Sequence, residues 1–287
     1  MPLNTFSDHA DMALNLIDLQ RYPISDLDQG EGAEFLKQCQ QDIKENGWCS
    51  FEGFIKPDAV DALADEAKAL LPTANILTVK RTIYQGVPDY DAPPDDLRKQ
   101  EYVHTALQLA NDQIPSETLA QQLYQSPILT EFVRRVQNKS QLYRCADEFQ
   151  ALNIVGLQPD ARHAWHYDTV ECTVTLLLQA AESGGEFVFL PNSRTDESEN
   201  TEAVDRLLSG DTSKAQSFSR GAGTFTFFRG GYSLHGVTKI EGSRERISAV
   251  LTYDEQPDRV LSDDVNIQIY GSRVKDILNE RKHAQKA

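Results

Sequence analysis

The chain changes its hydrophobic period about halfway along. Over residues 31–46, Phe35, Leu36, Cys39 and Ile43 recur at helical spacing, and Gly47 ends the run. The segment WCSFEGF then reads as a short strand. KPDAVDALADEAKALL reads as a second helix, opened by Pro57 and Asp58 and lined on one side by Leu63, Ala67, Leu70 and Leu71. A long polar loop, YQGVPDYDAPPDDLRKQ, leads to two more helical patterns that end near Asn138. Residues 1 to about 140 are therefore expected to be mainly helical, with one early strand.

From about Gln141 the pattern shortens. QLYRCADEFQ, ALNIVGLQ, ECTVTLLLQ, GGEFVFLP, GTFTFFRG and ERISAVLTYD are rich in β-branched and aromatic residues and are punctuated by Gly, Pro and Asp. So many short strands predict an antiparallel sandwich or jelly roll rather than a parallel α/β sheet. One polar insertion, over 192–220, interrupts them and holds a short helix around Ala203–Leu208. A last helical pattern, about 270–283, carries Val274, Ile277 and Leu278. No repeat or linker divides the chain. The expectation is one domain over 1–287: a helical N-terminal layer, a jelly-roll core over about 141–258, and a C-terminal helix.

Composition narrows the function without choosing it. The formal net charge of −16 repels phosphate backbones, so no nucleic acid is expected as a partner. No apolar run approaches the roughly 20 residues that span a bilayer, so no membrane partner is expected either. The opening MPLNTFSDHADMALNLIDLQ lacks a basic segment followed by an apolar one, and predicts no secretory leader. Cys39, Cys49, Cys145 and Cys172 show no CxxC spacing, which fits reduced thiols in the cytoplasm. The oligomeric state is left open.

The chemistry gathers at HAWHYD, His163 to Asp168. Residues i and i+2 of a strand point to one side, so His166 and Asp168 can reach one point. An antiparallel jelly roll can return His235, in GGYSLHG, beside them. Two imidazoles and one carboxylate leave three coordination positions open, which suits non-haem Fe(II) and oxygen chemistry. Taken alone, His166 is more often a satisfied strand histidine, and Asp168 an ordinary turn residue. Arg246 and Ser248 follow on the next strand, again on one face. A guanidinium fork and a hydroxyl together suit a dicarboxylate co-substrate. The plain alternative is a surface pair between Arg246 and Glu241 or Glu245, which would contribute little. Other chemistries fit poorly. GGYSLHG is not a G-x-S-x-G elbow, RGAGTF lacks the third glycine of a dinucleotide loop, and HAWH has no nearby cysteine for structural zinc.

The combination His166-x-Asp168, His235 and Arg246-x-Ser248 resembles the signature of the Fe(II)/2-oxoglutarate-dependent dioxygenases. Around it, HAWHYD, a strand ending LLLQ, and GGEFVFLP resemble the radical halogenases and hydroxylases that act on free amino acids such as lysine. The resemblance implies a double-stranded β-helix core, with Fe(II) held by His166, Asp168 and His235. It also implies 2-oxoglutarate with its distal carboxylate on Arg246 and Ser248, O2 as oxidant, and hydroxylation of an unactivated C–H bond. The halogenases of that group carry glycine or alanine where this chain has Asp168, so the resemblance points to a hydroxylase.

The substrate is expected to be a small molecule, chiefly a free polar or cationic amino acid. The related amino-acid halogenases have a substrate-holding histidine three residues before the first metal ligand, where His163 stands; a surface role for it is the alternative. Glu148 and Thr252 can face the cavity if the strand pattern holds, although residues so placed are more often structural, and Arg81 can meet a substrate carboxylate. The acidic loop with Asp89, Asp91, Asp95 and Asp96 and the insertion 192–220 are candidates for a lid, although such charge runs are usually only solvated. Two other readings stay open: an oxygenase of another metabolite or of a carrier-tethered amino acid, and a jelly-roll protein that binds metal and 2-oxoglutarate without turnover.

Overall fold

Two antiparallel sheets face each other, and the alternation of side chains along their strands decides what each face meets. The computed structural model describes residues 12–86, 89–91, 93, 94, 96 and 99–284. The larger sheet takes, in chain order, β1 (Trp48–Phe51), β2 (Asn75–Arg81), β3 (Tyr102–Leu109), β4 (Leu152–Leu157), β6 (Thr173–Gln179), β9 (Phe225–Phe228) and β11 (Arg246–Leu251). The smaller takes β5 (His163–His166), β7 (Phe187–Leu190), β8 (Gln216–Phe218) and β10 (Leu234–Val237). Their spatial orders are β1–β9–β6–β11–β4–β3–β2 and β8–β7–β10–β5. This is a jelly-roll core, mainly β with helices around it.

On β11, Ile247, Ala249 and Leu251 belong to the main hydrophobic core, while Arg246, Ser248 and Val250 line a cavity between the sheets. On β6, Val174, Leu176 and Leu178 face the core, and Thr173 and Thr175 the cavity. The period of two thus separates packing from chemistry residue by residue. Outside the larger sheet lie helices α1 (Gly30–Asn46), α2 (Pro57–Leu70), α3 (Leu119–Gln125) and α4 (Pro127–Val136). Leu36 and Cys39 of α1, Leu63 and Ala67 of α2 and Phe132 of α4 join the same core. Phe132 is fully buried, stacks on Phe35 at 5.7 Å and meets Phe227 edge-on at 5.4 Å. Burying one such ring contributes about 3 kcal/mol.

Two expectations are corrected here. The N-terminal half is not helical apart from one strand, because β2 and β3 form a hairpin that extends the larger sheet. β2 is an edge strand with a wet face, shown by Ile76 at 67% exposed, and β3 turns the polar His104 and Gln108 inward. Neither strand therefore alternates polar and apolar residues cleanly. Likewise, QLYRCADEFQ gives only the two-residue strand Tyr143–Arg144, because the Asp147 carboxylate accepts from the Phe149 and Gln150 backbones and curls the chain into a turn.

The insertion 192–220 forms α5 (Thr201–Leu208), whose Val204 and Leu207 pack with Ile83, Tyr167 and Leu234. The C-terminal helix, α6 (Asp263–Ala284), starts earlier than expected and breaks at Gly271, which has φ 73°. A Cβ there would lie 2.5 Å from Asn75 Oδ1, so only glycine fits. Among the described residues no helix is long and apolar enough to cross a membrane. The first eleven residues, on which the leader expectation chiefly rests, and Asp95 of the acidic loop lie outside the described residues.

Candidate metal centre and its cavity

Strands β5 and β10 pair antiparallel with His235 directly opposite His166. Both rings are buried, with centroids 4.2 Å apart. Nδ1 of His166 lies 2.7 Å from the Ala164 carbonyl, and Nδ1 of His235 lies 2.9 Å from the Ser233 carbonyl. A carbonyl can only accept, so each Nδ1 carries the proton and each Nε2 keeps its lone pair. The two Nε2 atoms converge on Asp168, at 3.5 Å from Oδ1 and 3.4 Å from Oδ2. These three residues form a group able to hold a metal ion, their ligand atoms all within 4.8 Å of one another.

Asp168 sits just past the end of β5, where local contacts fix it. Its backbone N–H donates to the Gly230 carbonyl at 3.0 Å, and Thr173 of β6 donates its hydroxyl to Oδ2. A Cβ on residue 230 would stand 2.1 Å from Oδ2, so the carboxylate needs a glycine beneath it. Burial would raise the Asp168 carboxyl, but a proton on the facing His235 or His166 ring, through its charge and its Nε2–H, outweighs burial and holds the carboxyl well below the usual carboxylate range until a metal takes that proton's place. Burial, reinforced by the neighbouring His235, lowers His166, which keeps its imidazole neutral and ready to ligate.

From this centre a cavity of about 160 Å³ runs between the sheets, walled by Phe187, Phe228, Val155 and Val250 among others. Arg246 and Ser248 stand in its wall, with Arg246 Nη1 donating to Ser248 Oγ at 2.7 Å and Nε to the Gly185 carbonyl at 3.1 Å. Burial without an acidic neighbour pushes the Arg246 guanidinium down to about 10. The structure thus brings His166, Asp168, His235, Arg246 and Ser248 into one cavity.

Among the substrate candidates, His163 lines the same cavity and stacks on His166, with centroids 4.2 Å apart. Arg81, on β2, lies on the far side of β3; it donates to Gln85 Oε1 at 3.1 Å and its buried Nε has no partner. Glu148 and Thr252 are not brought in. Glu148 lies on the surface in a two-pronged ion pair with Arg281, at 2.6 and 2.8 Å, because the turn at Asp147 replaces the strand that would have aimed it inward. Thr252 lies beyond the end of β11, where its carbonyl accepts from Tyr124 Oη at 2.7 Å and from the Cys145 backbone.

Sequence reasoning missed two residues. His104 is 5% exposed, and neither ring nitrogen has a hydrogen-bond partner. It stands edge-on to His163 at 5.1 Å and to His166 at 5.7 Å. Burial, with His166 and Arg81 nearby, pushes it down to about 3. Only the pairing of β3 into the sheet puts it there, and no local motif announces it. The second residue, Arg220, lines the cavity from the loop after β8. Its segment, SRGAGTF, carries no signal beyond the glycines.

The family model for Halogenase D matches residues 32–270. No curated protein matches. Among solved structures, the chain is similar to the epimerase SnoN in complex with Fe3+, α-ketoglutarate and nogalamycin RO, at 16% identity over 78% of this chain and 84% of that one, with a TM-score of 0.54. It is similar to a 2OG-Fe(II) oxygenase family oxidoreductase from Burkholderia pseudomallei, at 15% identity over 80% and 93%, with a TM-score of 0.50. It also resembles HygX from Streptomyces hygroscopicus with nickel, 2-oxoglutarate and hygromycin B bound, at 13% identity over 77% and 87%, with a TM-score of 0.50. These likenesses give the fold of the Fe(II)/2-oxoglutarate oxygenases, and with a family match over most of its length the chain belongs to the Halogenase D family.

Proposed function

We propose that the protein is an Fe(II)- and 2-oxoglutarate-dependent oxygenase that hydroxylates an unactivated C–H bond of a small molecule, a free polar or cationic amino acid. One observation carries this reading: a cavity has a carboxylate–bis-imidazole set at one site and an unpaired guanidinium with a hydroxyl at another. The donor set fits the metal. Both Nε2 atoms hold free lone pairs, Asp168 is ionised, and three ligands leave positions for co-substrate and oxygen. When bound, iron and 2-oxoglutarate supply the oxidising power that turns a C–H bond into C–OH with O2.

The chain's own residues then bind and orient. Arg246 and Ser248 take the distal carboxylate of 2-oxoglutarate and point its keto-acid end toward the histidines. Phe187, Phe228 and Val250 keep water from the reacting centre. The substrate lies on the side of β3, where His163 offers an imidazole contact from the cavity wall, with His104 edge-on behind it and Arg81 beyond. Asp168 fills the position that would have to be vacated for a halide, which supports hydroxylation over halogenation. The four cysteines are free, which suits a reducing cytoplasm.

The test is a panel of common amino acids, ornithine and simple derivatives, incubated with iron, 2-oxoglutarate and ascorbate. The expected result is substrate-dependent succinate with a mass gain of one oxygen, both lost in His235→Ala. Turnover only with a carrier-bound or non-amino-acid metabolite would remove the amino-acid reading. Binding of metal and 2-oxoglutarate with no succinate from any substrate would favour a non-catalytic binding protein.

A further inference from the structure

Arg220 has no role in the reading above, yet its guanidinium stands in the wall of the same cavity as Arg246. Its Nη1 donates to Thr226 Oγ1 at 2.9 Å, and its Cζ lies 4.5 Å from the centre of the Phe187 ring. Its Nε is buried with no hydrogen-bond partner. Among the described residues, the hydrogen-bond partners of the two arginines are a threonine, a serine and a backbone carbonyl, and none is acidic.

A second hollow, of about 270 Å³, lies beyond them and is walled by Gly185, Glu186 and Ser219. Arg220 and Arg246 are the residues common to the walls of both hollows, so the pair forms the partition at one end of the cavity. Two cations sharing a partition, Arg246 buried and Arg220 half-buried, repel each other and lose hydration, a cost that an anion between them removes. Glu182 and Glu186 also line the second hollow, where their carboxylates accept from Ser243 and Ser217 rather than from either arginine.

We propose that Arg220 is a second guanidinium for the distal carboxylate of 2-oxoglutarate, gripping it with Arg246 and setting the preference for a dicarboxylate over a monocarboxylate. The proposal rests on the co-substrate reading above. Thr226 and the Phe187 face hold Arg220 in place, and its guanidinium, set in the walls of both hollows, supplies the donor. A single Arg–Ser pair can accept the carboxylate; the second cation adds a penalty for any ligand that leaves it unpaired.

The experiment is calorimetric titration of the Mn(II)-loaded protein, without turnover, using 2-oxoglutarate and 2-oxopentanoate. The second ligand has the same carbon skeleton with a methyl in place of the distal carboxylate. Arg220→Gln is expected to weaken 2-oxoglutarate by about tenfold or more and 2-oxopentanoate by less than about twofold. Arg220→Lys, which carries the smaller risk to folding, keeps the charge and loses the fork, and it too should weaken the dicarboxylate selectively. Unchanged 2-oxoglutarate affinity, or equal weakening of both ligands, overturns the proposal. Arg246→Gln, run in parallel, separates this from failure of the underlying reading: if that variant also leaves 2-oxoglutarate unaffected, the distal carboxylate is bound elsewhere and both assignments fall.

Discussion

Thr173 donates its hydroxyl hydrogen to Oδ2 of Asp168, the same oxygen that lies 3.4 Å from Nε2 of His235. A strand of the larger sheet thereby sets the carboxylate rotamer of a residue that follows a strand of the smaller one. Ligand-orienting contacts of this kind typically change metal affinity by about 10- to 100-fold when lost. Thr173→Val keeps the shape and removes the donor. Its affinity for Mn(II), measured by calorimetry, should fall by about tenfold with an unchanged circular dichroism spectrum. A loss smaller than about twofold would mean that the backbone bond from Asp168 to the Gly230 carbonyl suffices to fix the residue.

Arg246→Lys should lower 2-oxoglutarate affinity by about tenfold, close to 1.4 kcal/mol, because a lysine keeps the charge but cannot satisfy Gly185, Ser248 and a carboxylate from one planar group. Equilibrium titration of the metal-loaded protein measures this directly. An unchanged affinity would place the dicarboxylate away from Ser248.

The centre was more legible in the sequence than the walls around it. Arg246 and Ser248 share a strand two residues apart, so strand geometry puts them on one side, whereas Asp168, at the same spacing from His166, lies just past the end of β5 and is aimed by its contacts with Gly230 and Thr173. The return of His235 needs only an antiparallel neighbour, and β10 supplies it in register with β5. His104 and Arg220 gave no such signal. His104 owes its place to β3, whose inward face is partly polar because it borders a cavity rather than a core. Arg220 reaches the cavity from a loop whose path depends on the pairing of β8 with β7. Glu148 failed for a local reason, since the neighbouring Asp147 turns the backbone before a strand can form.

On the proposed reading, Asp168 favours hydroxylation over halogenation. Given chloride and a turned-over amino acid, the wild-type protein should form no chlorinated product, because on the proposed reading the carboxylate fills the coordination position that a halide would need. Asp168→Gly adds no clash at Gly230, removes the anionic ligand, and should abolish hydroxylation. Mass spectrometry of the products reads both outcomes. Chlorination by the unmodified protein would overturn the assignment of Asp168 as a ligand.

Two adjacent carboxylates give the last prediction, because burial makes them opposite in consequence. Asp147 is 3% exposed and accepts from the Phe149 and Gln150 backbones on Oδ1, and from the Leu261 backbone and Asn266 Nδ2 on Oδ2, at 2.8–3.0 Å. It ties the turn before β4 to the segment leading into α6. Asp147→Ala leaves these donors without an acceptor, three of them on the backbone and unable to rotate away, and should destabilise the fold by about 3 kcal/mol. For a chain of this size that is a fall of roughly 8 °C in Tm. Glu148, one residue on, pairs with Arg281 in solvent, where both side chains are close to half exposed. Water screens that pair, and Glu148→Gln should change stability by less than about 0.5 kcal/mol. Thermal unfolding of the two variants side by side checks the contrast. Equal losses would mean that the exposed ion pair to α6 anchors the C-terminal helix as strongly as the buried carboxylate does.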